Sequence, residues 1–240
     1  MRFKRDRLRP AALLLLLALT HAPREARAQS SLFTVPTGEV LPEGESYLEF
    51  DFDTRPLGRR DGGFQTYGVF FVHGARRGVE VGVNAYFTKD WERSEPVELQ
   101  SNVKFRLYES EEKGVSVGAG AVLYAPTGRA GGDTMGMAYS TVTKSVPALG
   151  GASFTAGGYA LVGQNRGAGQ HAGALFGYEQ PLHRRLSFIA DWNTGRNRFG
   201  YAAAGFGLTL SKRSALYSAY YFGNEGRGNN SLGVYYGISF

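Results

Sequence analysis

Six charged residues, Glu80, Glu98, Lys104, Arg106, Glu179 and Asp191, fall where an extended chain would turn them to one side. Glu49, Asp51, Gln65, Asn84, Gln100 and Asn102 fall in with them. Such a wall can do one of two things. Its groups can satisfy one another in an interior shut off from water, where an unpaired charge is costly. Alternatively they can bias which solutes pass along a wet path, as charged rings do in channels. Pairing position 88 with 96 sets Glu80 opposite Lys104 and Tyr86 opposite Glu98, which predicts a cross-strand ion pair between the first two.

Other chemistry finds little support. Nucleophilic hydrolysis on a strand needs a histidine close to a serine, so that imidazole can take the hydroxyl proton. His73 is followed by Gly74 and Ala75, His171 by Ala172 and Gly173, and His183 by Arg184 and Arg185. None of the three has a serine two residues on, and they share no metal-ligand spacing. Asp51 and Asp53 form an acidic pair with no histidine–aspartate couple nearby. With no cysteine in the chain, disulfides and thiolate metal sites are excluded. Gly118-Ala119-Gly120 and Gly205-Phe206-Gly207 lack the further glycine and lysine of a nucleotide site. A non-enzyme that needs no cofactor is expected.

The elements that must hold the polar wall are strands. Val97, Leu99, Val103, Phe105 and Leu107 alternate with Glu98, Gln100, Asn102, Lys104 and Arg106. A period of two excludes a helix there. Val79, Val81, Val83, Ala85 and Phe87 alternate in the same way with Glu80, Gly82, Asn84 and Tyr86, and Leu186, Phe188, Ala190 and Trp192 with Ser187, Ile189, Asp191 and Asn193. Twelve strands are predicted, at 45–53, 64–73, 78–88, 96–108, 114–124, 133–146, 151–162, 169–179, 185–193, 198–210, 213–222 and 230–240, with ten or fourteen as alternative counts. The inner connections are expected to be shorter than the outer ones.

Arg2, Lys4, Arg5, Arg7 and Arg9 precede an apolar run from Ala11 to Leu19, and Ala26-Arg27-Ala28 supplies a small-x-small cleavage site. Residues 1–28 therefore read as a secretory signal peptide, with Gln29 as the mature start. They hold seven of the 27 basic residues and two of the 21 acidic ones, so the remainder of the chain is nearly neutral. The high isoelectric point belongs to the export signal, and no nucleic-acid partner is implied. The mature part has no apolar stretch long enough to span a bilayer as a helix. An exported chain of this pattern satisfies its backbone in lipid by closing a barrel.

At the end of the chain Leu232, Val234, Tyr236, Ile238 and Phe240 alternate with Ser231, Gly233, Tyr235, Gly237 and Ser239. This ending resembles the closing strand of Gram-negative outer-membrane β-barrel proteins. The resemblance implies an all-β fold, a single antiparallel transmembrane barrel of small porin-like type. It also implies that Tyr236, Ile238 and Phe240 act as a signal to the barrel-assembly machinery. Residues 29–44, punctuated by Pro36, Gly38, Pro42 and Gly44, are set apart as a periplasmic arm or a small plug, leaving 45–240 as the barrel.

Phe87, Trp91, Trp192, Phe199, Tyr220 and Phe222 are expected in an outer aromatic girdle, and Tyr236 and Phe240 nearer the inner end. Arginines in or beside the outer loops, above all Arg59, Arg60, Arg93 and Arg129 but also Arg198, are candidates for lipopolysaccharide phosphates. The expected function is a small porin-like channel or passive transporter for small solutes in the bacterial outer membrane. The alternative is a closed, non-catalytic structural or interaction barrel that engages lipopolysaccharide or a partner protein through its loops.

Overall fold

The structure is a computed structural model and describes residues 30–57, 61–90, 97–127, 134–163, 166–226 and 230–240. The expected signal peptide, Trp91, and Arg59, Arg60, Arg93 and Arg129 lie outside the described residues.

Twelve antiparallel strands close into one barrel: β1 (Ser46–Arg55), β2 (Phe64–Arg76), β3 (Val79–Asp90), β4 (Val97–Ser110), β5 (Val115–Thr127), β6 (Met135–Val146), β7 (Ala152–Val162), β8 (Ala172–His183), β9 (Leu186–Asn193), β10 (Tyr201–Thr209), β11 (Ser214–Gly223) and β12 (Ser231–Ser239). Each strand pairs with its sequence neighbours, and β1 pairs with β12 from Tyr47 opposite Ser239 to Thr54 opposite Leu232. Closure leaves no sheet edge, so every strand finds backbone partners on both sides.

The two faces are chemically opposite. Outward-facing Phe50, Val83, Leu107, Phe206 and Phe222 are all about half exposed or more. A face this apolar suits hydrocarbon. The inward positions carry Glu49, Asp51, Glu80, Lys104, Thr141, Thr143 and Asp191, all buried. Register shifts at Gly74/Arg76, Arg106/Tyr108 and Pro181/His183 fall near the short turns at one rim, called the inner rim below.

Twelve is the expected count, and most boundaries agree within a few residues. The larger departures have local causes. The strand expected at 169–179 begins at Ala172, because Gln170 is drawn into the next loop: its N–H donates to the Arg196 carbonyl at 3.0 Å. The strand expected from 198 begins at Tyr201, because Arg198 and Phe199 turn into the lumen. Phe199 consequently leaves the expected girdle, stacking on Tyr124 with ring centroids 4.8 Å apart. Trp192, Phe87, Tyr220 and Phe222 do face outward and are exposed.

Lumen crowding places some residues by close approach. A Cβ at Gly237 would stand 2.0 Å from the Tyr47 hydroxyl, so glycine there is what lets the tyrosine lie against the wall.

Replacing outward Val83 by arginine should cost about 2–4 kcal/mol of stability in a lipid bilayer. Urea unfolding in liposomes, read by heat-modifiable gel migration, measures it.

Candidate functional site

The site is the lumen: residues 30–41 lie inside it, and 42–44 are exposed at the inner rim. The first half of this segment is a tight hairpin. Leu32 N–H donates to the Val35 carbonyl at 2.9 Å, Thr37 N–H to the Ser30 carbonyl at 3.0 Å, and Ser31 bridges Pro36. Pro36 and Pro42 have no N–H to give a sheet ladder, which is why this stretch is not a thirteenth strand.

The hairpin binds the charged wall from two sides. At its tip the Asp191 carboxylate accepts the Val35 N–H at 2.9 Å, the Thr34 N–H at 2.6 Å and the Thr34 hydroxyl at 3.1 Å. A carboxylate taking consecutive backbone N–H groups is a strong, charge-assisted contact. At its base the Ser30 hydroxyl donates to Glu80 at 2.7 Å and Leu41 N–H donates to the other oxygen of Glu80 at 2.9 Å. Lys104 Nζ donates to the Ser30 carbonyl. Gly38 N–H donates to the Thr143 hydroxyl at 2.9 Å.

The register places Glu80 opposite Lys104 and Tyr86 opposite Glu98, as the alternation predicts. The expected direct ion pair does not form. Ser30 comes between the two groups and binds both, so a chain segment mediates the pair. Glu98 pairs elsewhere: Arg198 reaches it with a forked contact at 2.9 and 2.8 Å. Arg198 also lies over the rings of Tyr124 at 5.3 Å and Phe199 at 5.0 Å. This is a second departure, since the expected partners of Arg198 are outer-leaflet phosphates. Its loop lies between β9 and β10, on the far side of the ring from β4, so the bridge crosses the outer part of the lumen. Asn197 of the same loop is buried and donates to the Tyr159 hydroxyl at 2.8 Å.

The other inward candidates are less central. Arg106 pairs with Glu109 at 2.8 Å near the inner rim. Glu179 lines a cavity of about 200 Å³ between the hairpin and the wall, together with Thr37, Glu39, Thr155 and Tyr217. Tyr236 and Phe240 are exposed on the outer face, near the inner rim.

An apolar core completes the lumen. Val35, fully buried, packs with Tyr124, Met135, Met137, Tyr139, Tyr159, Leu161 and Leu175. Leu32 fits against Gly177, where a Cβ would meet its methyl at 2.3 Å.

One serine–histidine contact escaped sequence reasoning. Ser46 Oγ lies 2.9 Å from His73 Nδ1, from directly opposed positions on β1 and β2. The two are 27 residues apart, so only the strand register could have revealed them. Among the described residues no acid hydrogen-bonds to the second ring nitrogen, so the pair lacks the group that orients a catalytic imidazole. Also among the described residues, no three acidic or histidine side chains converge as a metal site.

No protein-family model matches the chain, and no curated protein does. Solved structures do resemble it. A KdgM porin is 8% identical with a TM-score of 0.58, over 81% of this chain and 98% of that one. The KdgM porin in complex with disordered oligogalacturonate is likewise 8% identical, with a TM-score of 0.57 over 82% and 98%. Outer membrane phospholipase A from Escherichia coli is 16% identical with a TM-score of 0.48, over 83% and 93%. At 8% identity the likeness to the KdgM porin structures is one of fold, and the chain has the fold of outer-membrane porin barrels.

Asp191→Ala removes three hydrogen bonds to the hairpin tip. Amide exchange at Thr34 and Val35 should then accelerate about a hundredfold or more, read by deuterium uptake of a peptide covering 30–41.

Proposed function

We propose that the chain is an exported outer-membrane barrel acting as a small porin-like channel for small polar solutes, shut in this state by residues 30–44. One observation carries the reading. Three buried charges, Asp191, Glu80 and Lys104, are satisfied by one short segment, chiefly through its backbone, rather than by side chains of the opposite wall. A barrel closed for good would fill its lumen with its own wall. Here Asp191, Glu80 and Lys104 are matched by a segment rooted at the inner rim, where Gly44 and Gly74 exchange hydrogen bonds with neighbouring backbone. Moving the segment aside would leave these three charged groups facing the lumen.

The half-exposed apolar belt supports a place in a lipid bilayer, and residues 1–28 fit an export signal removed before Gln29. Tyr236, Ile238 and Phe240 would present the closing strand to the assembly machinery. A lone Ser46–His73 contact without an orienting acid argues for a non-catalytic barrel. Oligogalacturonate, bound by the KdgM porin, is by its name an anion, and the acidic excess of this lumen argues against that solute here.

The second reading is a closed interaction barrel. The Arg198–Glu98 bridge and the aromatic packing around Tyr124 favour it, because both occupy the outer lumen. Arg59, Arg60, Arg93 and Arg129 would serve either reading by holding lipopolysaccharide phosphates. Replacing all four by glutamine should raise detergent and antibiotic sensitivity of cells and reduce co-purifying lipopolysaccharide. Unchanged values in both assays would remove that role.

Refolded protein in planar bilayers should open rarely, and Asp191→Ala should raise the open fraction about tenfold or more. Adding Arg198→Ala should enlarge each step. Electrical silence of both variants would decide for the closed barrel.

A further inference from the structure

Three carboxylates of the lumen take neutral hydroxyls as partners. Glu49, Asp51 and Asp53 follow one another on the inner face of β1, about 7 Å apart along the strand. Each accepts a hydrogen bond from a tyrosine: Tyr47 to Glu49 at 2.5 Å, Tyr86 to Asp51 at 2.8 Å and Tyr235 to Asp53 at 2.5 Å. A neutral hydroxyl brings no positive charge to the carboxyl group it binds. Among the described residues, three cations that face the lumen are committed to other groups. Arg198 holds Glu98, Arg106 holds Glu109, and Lys104 is bound at Ser30 beside Glu80.

Two buried oxygens of the lumen, one on β1 and one on β3, have no hydrogen-bond partner among the described residues. Asp51 is 8% exposed, and its Oδ1 is unbonded. Asn84 is 5% exposed, and its Oδ1 is also unbonded, because its amide nitrogen is turned to Gln100 on β4. Through Phe70 the register sets Asn84 level with Glu49. Acceptors without protein donors, in a lumen that also holds a row of acids bound by neutral hydroxyls, suit a positive ligand from solution.

Resting on the channel reading above, we infer that β1 is a cation track: with residues 30–44 displaced, the lumen passes small monovalent cations in preference to anions. The three acids are strung along a strand rather than gathered around a point. That geometry suits sequential weak contacts, which let an ion enter and leave, rather than chelation. The segment covers the track in the shut state. Phe33 lies 6.4 Å, centroid to centroid, from both Tyr221 and Tyr235, and the Tyr221 and Tyr235 hydroxyls are 2.5 Å apart. Withdrawing Phe33 would uncover the tyrosine that holds Asp53.

The test is the reversal potential of full-length Asp191→Ala protein in planar bilayers under a potassium chloride gradient. Potassium should be preferred over chloride about fivefold or more, and adding Asp51→Asn with Asp53→Asn should bring the ratio near unity. Heat-modifiable migration verifies folding of each variant. Should the double replacement fail to fold, Glu49→Gln, isosteric and at the inner end of the track, should lower the ratio about twofold. A conducting pore that is unselective or prefers chloride overturns the cation track and spares the channel. So does a preference that survives these replacements in folded protein. Electrical silence overturns both.

Discussion

Closure between β1 and β12 is the constraint on which everything else rests. Once the seam from Tyr47–Ser239 to Thr54–Leu232 is made, each strand has two fixed neighbours, and successive side chains have only two places to go. Hydrocarbon-compatible groups take one side. The remaining groups face a narrow interior in which polar atoms must find partners or remain costly. The composition of the lumen stems from the strand period, and the way its charges are satisfied is where this chain becomes individual.

That satisfaction is divided unevenly round the ring. On the β3–β4 wall Glu80 and Lys104 meet through Ser30, and on β9 Asp191 grips the hairpin tip, so one segment ties together strands distant in the barrel. The outer lumen is crossed by Arg198, whose guanidinium meets Glu98 while lying over two aromatic rings. On the β1 wall the acids are held by tyrosines. Differences of this kind separate a scaffold from a path, because groups already matched by fixed partners offer little to a passing solute.

Much of the scaffold was legible in the sequence, because a two-residue period is a strong local signal. Val97 through Leu107 could be assigned face by face, and pairing one loop correctly fixed Glu80 opposite Lys104. The group lying between those two residues was not legible. Ser30 arrives from a proline- and glycine-punctuated stretch with no period, and nothing local states that its carbonyl will sit beside an ammonium on β4. Arg198 misled for a related reason. A loop arginine reads as solvent-facing until Tyr124, 74 positions earlier, is known to lie beneath it. The Ser46–His73 contact likewise needed the register of two strands. In each case the missing information was long-range.

The hairpin is not a separate body in the mouth of the barrel. Its trailing end is held at the rim, with Gly44 N–H on the Gly74 carbonyl at 2.8 Å, Gly74 N–H on the Glu45 carbonyl at 2.9 Å and Arg77 N–H on the Glu43 carboxylate at 3.1 Å. It is in effect a ligand on a leash. Covalent attachment sets its local concentration near its receptor at about the millimolar level whatever the abundance of the protein. Under the proposed channel reading, resealing would therefore be a first-order event that dilution cannot slow, and a loose peptide of the same sequence would compete poorly with it.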